Sequence, residues 1–260
     1  KARPFPLNSS SEIEIMISRD NLKYAMYESM RQAAVQIPPD VEETLRHALS
    51  EEESGLAKQH IELSLKNARL AEEGKGLVCG DTGFPLFFIR LGGNCRIEGG
   101  LGTLKEAAQN ATEQATAESF LRPTMVDPLS RENPGNNLGP EMPGIDIEIQ
   151  EDSEDIIIIA APKGGGSEIF GTFYRMLYPA DAMEGIKKFI LESIVEGAYA
   201  GKICPPAIIG VGIGGTADLC MKIAKKAALL RKLGKPNPDQ EIARIEEELL
   251  SASRKIGLGP

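Results

Sequence analysis

Apolar residues recur at helical spacing through the first part of the chain. Between residues 21 and 36, Leu22, Ala25, Met26, Met30 and Ala33 share one side of a 3.6-residue repeat, which predicts an amphipathic helix. Pro38 and Pro39 end it. Pro39 also opens the next helix, with Asp40, Glu42 and Glu43 in a first turn where the helix dipole favours acids. A charged break at residues 51–55 precedes a third helix over 56–73, with Ile61, Leu65, Ala68 and Leu70 inward. Ahead of all three, residues 13–18 read as a short strand or a helix lead-in.

The repeat changes after Gly74-Lys75-Gly76. Residues 77–83 are a short apolar entry into a turn, and 84–91 are an apolar strand. Gly92-Gly93-Asn94 then predicts a turn into a second hairpin arm holding Cys95, Arg96 and Ile97. Residues 104–120 are helical, with Thr103 as N-cap and Glu106 at capping-box spacing. Residues 124–144 form a long loop with Asn133, Asn136, Asn137 and four prolines, a length that is usually functional or disordered. Residues 145–149 alternate as a half-exposed strand, and the apolar run 156–161 is a buried strand predicted to pair with it as a hairpin through 151–155. Asp181 is placed to cap a helix over 182–199, a buried strand is predicted over 207–213, and helices follow over 217–233 and 239–255.

These elements predict a mixed α/β fold: an N-terminal helical segment followed by a mixed sheet flanked by helices. The expected divisions are a flexible lead (1–19), a helical segment (20–75) and an α/β region (76–260). The last residues, Gly257-Leu258-Gly259-Pro260, read as the entrance to another element.

Composition narrows the function classes. The chain has 260 residues, 42% hydrophobic and 26% charged, which is ordinary for a globular protein. No apolar run approaches the roughly 18 residues that a bilayer span needs, so no membrane role is expected. The first eleven residues lack the apolar middle of a secretory signal. Four well-separated cysteines do not look like a small secreted disulfide framework, and a reducing, cytoplasmic setting fits them better. A net charge of −9 argues against a nucleic-acid partner. Only two histidines are present, His47 and His60, and both fall on predicted helices, where a surface or packing role is the usual one.

Chemistry concentrates elsewhere. The strand at 156–161 runs into Lys163-Gly164-Gly165-Gly166-Ser167-Glu168. Three residues without a Cβ can take positive φ and let their amides close around an anion, with Lys163 adding charge at the rim. A tight turn explains the same residues without a ligand. Cys79 and Cys204 each open a loop ahead of a strand, as metal ligands often do. There is no Cys-x-x-Cys, so spacing alone leaves them as ligands or as buried structural residues. Asp81 beside Thr82 is an acid/base carboxylate or an Asx turn. Residues 210–216 resemble a dinucleotide loop, which keeps open a nucleotide-binding reading. The acid expected about 20 residues later is missing, because that region is helical.

The motifs Cys79-Gly80-Asp81-Thr82-Gly83, Leu121-Arg122-Pro123, Ala161-Pro162-Lys163-Gly164-Gly165-Gly166-Ser167-Glu168 and Cys204-Pro205-Pro206, with residues 210–216 behind the last, occur in one order. In that order they resemble the α subunit of the iron–sulfur-dependent class I fumarate hydratase / L-tartrate dehydratase family, or the N-terminal region of its single-chain members. The resemblance covers residues 20–260. It implies a hydro-lyase acting reversibly on fumarate and malate, or on L-tartrate. It also implies a [4Fe–4S] cluster on three cysteines whose open iron is a Lewis acid. Cys79 and Cys204 match two of those ligands. The third lies, in the family, beyond the Gly-Leu-Gly-Pro element, so the chain by itself is expected to be inactive. Asp81 matches an acid/base position, Arg122 a clamp for a substrate carboxylate, and Gly165 and Gly166 backbone contacts to substrate. Gly80, Asp81 and Lys163 complete the implied substrate-binding set, although the family often has Gln where Gly80 stands. The implied partners are a dicarboxylate, a β subunit carrying the rest of the site, and a second α unit forming a homodimer within the heteromer. A third possibility is a scaffold half with no activity of its own.

Overall fold

A computed structural model describes residues 16–201 and 203–257. Most of the expected lead (1–19) therefore lies outside the described residues, as do residues 258–260 of the final motif. Three helices follow the two-residue strand β1 (Met16–Ile17): α1 (Arg19–Val35), α2 (Pro39–Glu51) and α3 (Gly55–Glu72). The boundaries fall where the chemistry puts them. Ser18 and Ser54 cap α1 and α3 by accepting backbone N–H bonds from Asn21 and Ala57, and Pro39 occupies the first turn of α2.

Next come β2 (Phe84–Gly92), β3 (Arg96–Ile97), α4 (Gly102–Ala117), β4 (Gly144–Gln150) and β5 (Ile156–Lys163). The sheet order is β4-β2-β5, with β2 parallel to β4 and antiparallel to β5. Two expected hairpins are thus replaced. β3 pairs in parallel with β1 and is not an arm of β2. β4 and β5 do not pair with each other, because β2 lies between them. The cause sits at the end of β2. Gly92 N–H donates to Asp155 O (2.8 Å), Gly93 N–H to Gln150 O (2.7 Å) and Asn94 N–H to Ser153 O (2.9 Å), so the 151–155 connection wraps across the strand tip. A Cβ at Gly92 would lie 2.2 Å from Ser153 O, and glycine is what lets the two backbones cross.

One face of the sheet is dry. Phe87, Ile89 and Leu91 of β2 meet Leu22, Met26 and Met30 of α1 and a stripe of Leu104, Ala107, Ala108, Ala111 and Ala115 on α4. Small residues on α4 let α1 approach closely, and the methionines fill the remaining space. Burial of each large side chain here stabilises by roughly 1.5–3 kcal/mol. β5, expected as a buried strand, is only half covered, with Ile157 exposed.

The opposite face is ionic. After α5 (Ala182–Tyr199), helix α6 (Ala217–Leu230) reaches the sheet through lysines: Lys222 to Asp146 (2.8 Å), and Lys226 to Asp146 and Glu148 (both 3.3 Å). The chain closes with α7 (Gln240–Arg254), capped by Asp239 and packed on α5.

Three further expectations give way. Thr103 lies inside α4, buried, and its hydroxyl donates to Glu98 O, while Glu106 pairs with Lys23; no capping box forms. The Asp181 side chain makes no cap to α5 and accepts instead from Tyr178 N–H at 2.7 Å. No strand forms over 207–213. Gly210 and Gly212 press against the backbone of α6, where a Cβ would lie 2.1 Å from Ala224 O and from Cys220 O. Ile208, Ile209 and Ile213 stay exposed, and the segment pairs with no strand among the described residues. No helix among the described residues is long and apolar enough to cross a membrane.

A local ion pair on α1 gives a pH signature. Arg31 grips Glu28 with two N–H bonds (2.8 and 2.6 Å) and Gln32 adds a third, which holds the Glu28 carboxyl at about 2 against an ordinary 4.5. A carboxyl depressed on folding adds stability that is present above pH 4.5 and lost as pH falls towards 2. Glu28→Gln is expected to lower unfolding free energy at pH 7 by about 0.5–1 kcal/mol. The gap to wild type should close on acidification through that window in denaturant titrations. A gap of constant size would show that the charge on Glu28 contributes nothing.

Candidate active site at the glycine turn

The register of β2 and β5 builds the site. Phe84, the first residue of β2, pairs with Lys163, the last of β5. Antiparallel pairing therefore sets the residues just before β2 (79–83) beside those just after β5 (164–166). There the Oδ2 of Asp81 accepts a hydrogen bond from Gly166 N–H at 3.1 Å. Gly164 is buried beneath the same aspartate: a Cβ on it would lie 2.1 Å from Asp81 O and 2.5 Å from Asp81 Oδ2.

The triple glycine works differently from the sequence expectation. None of the three residues has positive φ, and Gly165 is right-handed helical (φ −61°, ψ −32°). Gly164 is required for space, not for backbone freedom. At Gly165 a Cβ would meet only Phe84 Cε2, at 3.8 Å. The turn continues as a five-residue π turn, Gly166–Phe170, and its amide at Gly166 is directed at the Asp81 carboxylate.

Lys163 and its neighbours supply the charge. Burial lowers the Lys163 ammonium below the usual lysine range; Glu168 opposes that shift, Lys225 adds to it, and Cys79 opposes it. These groups therefore lie within electrostatic reach of one another. Glu168 itself is ion-paired with Lys225 of α6. Cys79 and Asp81 are exposed, as is Gly80, where a Cβ would point into open space.

Arg122 joins from the exit of α4. Its backbone N–H donates to the buried Thr82 hydroxyl at 3.0 Å, and the Thr124 hydroxyl donates to Thr82 O at 3.3 Å. Gly83 fits beneath, with φ of +144° and no room for a Cβ, which would lie 2.0 Å from Thr124 Oγ1. The guanidinium-bearing residue is thus fastened one position away from Asp81 and is exposed.

The cysteines divide. Cys204 is free and exposed, and its neighbour Ile203 packs on Gly171 at the far end of the π turn. Cys79 lies at the near end, by Lys163. Cys95 is half-buried, and burial pushes its thiol up. The Cys220 thiol donates to Gly212 O at 2.9 Å. Among the described residues, no group of three or more His, Cys, Asp or Glu side chains could hold a metal ion. The loop over 210–216 has left-handed Gly214 and Gly215, but the strand that a dinucleotide-binding unit needs ahead of it is absent. Sequence reasoning passed over Thr82 and Glu168, which tie Arg122 and α6 to this turn. Their signal, a hydroxyl and a carboxylate beside candidate residues, becomes legible only once the β2–β5 register is known.

Comparison with known proteins identifies the family. The family described as fumarate hydratase (fumerase) matches residues 23–260. A Methanocaldococcus jannaschii protein provisionally named L(+)-tartrate dehydratase subunit alpha is 42% identical over 233 residues, covering 89% of this chain and 80% of that protein. The Escherichia coli K12 L(+)-tartrate dehydratase subunit alpha is 30% identical over 227 residues, 87% of this chain and 73% of its own. A Geobacillus stearothermophilus protein provisionally named class I fumarate hydratase is 31% identical over 250 residues, which is 92% of this chain but 47% of that longer protein.

Proposed function

The chain belongs to the fumarate hydratase family, and from that premise we propose that it is the α subunit of a hydro-lyase that adds water reversibly across the double bond of a C4 dicarboxylate. Fumarate and malate are the first assignment. L-tartrate is the second, favoured by the names of two of the relatives. The observation that carries the reading is the Asp81 carboxylate held on the Gly166 amide, with Arg122 fastened beside it through Thr82. Asp81 is assigned the proton transfer at the carbon next to a substrate carboxylate. Arg122 is assigned the grip on that carboxylate, a task suited to the guanidinium fork. Lys163 adds positive charge at the same mouth. Backbone at Gly80, Gly165 and Gly166 is assigned the remaining contacts, with the Gly166 N–H already engaged by Asp81.

The cofactor assignment is a [4Fe–4S] cluster with Cys79 and Cys204 as two of its thiolates. The described residues do not form a complete seat for it, because two exposed thiols are one short of three. A third thiolate from outside the described residues is required. The 260-residue chain alone is therefore expected to hold no intact cluster and to be inactive. Partners in this reading are a β subunit, a second α unit and the dicarboxylate. A reducing compartment such as the cytoplasm suits four unpaired thiols.

The test is anaerobic reconstitution of the complete complex with iron and sulfide, assayed on fumarate, malate and L-tartrate side by side. Turnover of one of them is expected, with loss of cluster absorbance and of activity in both Cys79→Ser and Cys204→Ser. No turnover of any C4 dicarboxylate by the reconstituted complex would sink the reading, and a stable cluster on the isolated chain would overturn the missing-ligand assignment.

A further inference from the structure

We infer that Asn137 is a positioning residue for Arg122: its buried carboxamide fixes the backbone from which the guanidinium reaches the site. The inference rests on the assignment of Arg122 as the carboxylate clamp, but the observation behind it is separate. Asn137 is 0% exposed, in the middle of the long loop that follows α4. Its φ is +55°, a region that asparagine tolerates better than most side chains. Its Oδ1 accepts from Thr124 N–H (3.1 Å) and Met125 N–H (3.3 Å). Its Nδ2 donates to Arg122 O (2.9 Å) and to the Thr116 hydroxyl oxygen (3.1 Å). The partners fix which end of the amide is which, because two N–H donors face one side and two oxygen acceptors the other. Every donor and lone-pair site of the carboxamide is used.

Both backbone polar groups of Arg122 are consequently held by buried side chains: its N–H by Thr82, its C=O by Asn137. Thr116 anchors the asparagine to the last turn of α4, and its own hydroxyl bonds Thr112 O at 2.7 Å. Only the Arg122 side chain is left exposed. An arginine with a fixed backbone and a free head suits a residue that must meet a ligand at a set position, since misplacement by about 1 Å can cost on the order of 100-fold in rate. Asn137 makes none of the contacts expected of substrate and acts only through Arg122.

The decisive variants are Asn137→Asp and Asn137→Ala in the complete, reconstituted complex. Asn137→Asp keeps size and both acceptor bonds but turns a carboxylate oxygen towards Arg122 O. It is expected to raise KM for the dicarboxylate about 10- to 100-fold, with a smaller change in kcat. Combined with Arg122→Ala, it should add almost nothing, because the group it positions is already gone. In Asn137→Ala, hydrogen exchange should quicken at the amides of Thr124 and Met125 and stay unchanged in α1 and β2. Unchanged KM in Asn137→Asp, or losses that multiply in the double variant, would overturn the inference and leave a structural role only. If the wild-type complex turns over no C4 dicarboxylate, the functional reading falls. The exchange comparison then decides alone: unchanged exchange at Thr124 and Met125 would sink the positioning role too.

Discussion

Asp81→Asn is expected to reduce kcat on the dicarboxylate by about 10²–10⁴-fold, the range for losing a general acid/base, while the protein melts as wild type does. The side chain is exposed, so no core contact is lost. Its hydrogen bond from Gly166 N–H, at 3.1 Å, can be taken over by the amide oxygen of asparagine. The turn therefore keeps its shape while the carboxylate assigned the proton transfer is removed. Steady-state kinetics on the reconstituted complex, run beside a thermal melt, measure the two effects separately. Turnover within a few-fold of wild type would remove Asp81 from the chemistry.

The second large effect separates neighbouring glycines. Gly164→Ala puts a methyl group 2.1 Å from Asp81 O and 2.5 Å from its Oδ2. Backbone and carboxylate must both shift, at about 1–3 kcal/mol for overpacking, and the carboxylate that moves is the one assigned to catalysis. Stability and activity should fall together. Gly165→Ala meets only Phe84 Cε2 at 3.8 Å in a right-handed conformation, so its melting point should hold or rise slightly. If substrate approaches the Gly165 backbone, activity falls in this variant with no loss of stability. Equal melting points for the two variants would refute the close approach of Gly164 to Asp81.

The same pair of residues marks how far the sequence could be read. Run and spacing placed Lys163, the glycines and Asp81 among the chemistry-bearing residues. They could not show that the β2–β5 register joins Asp81 to Gly166, since that contact spans 85 positions of chain. Helices were legible because their signals are local: Pro39 at the start of α2 and the Leu22–Met26–Met30 stripe on α1. Strand pairing was not. The alternation at 145–149 identifies a strand but says nothing of its neighbour, and a short connection suggested a hairpin where β2 intervenes. Apolar content at 207–213 signalled burial, yet a strand needs a partner, and the segment pairs with none among the described residues. Asn137 was visible only as one of several asparagines in a loop. Its importance comes from four bonds to residues 12 to 21 positions away.

The lysine seam beneath α6 has an effect that the alanine stripe on the other side lacks. Ammonium–carboxylate contacts weaken as counterions crowd in, and in about 1 M salt the screening distance shrinks to roughly 3 Å. Contacts between methyl and methylene groups do not weaken in that way. Concentrated electrolyte should therefore loosen the molecule asymmetrically, freeing α6 and, through Lys225 and Glu168, the glycine turn tethered to it, while the helices on the far side stay seated.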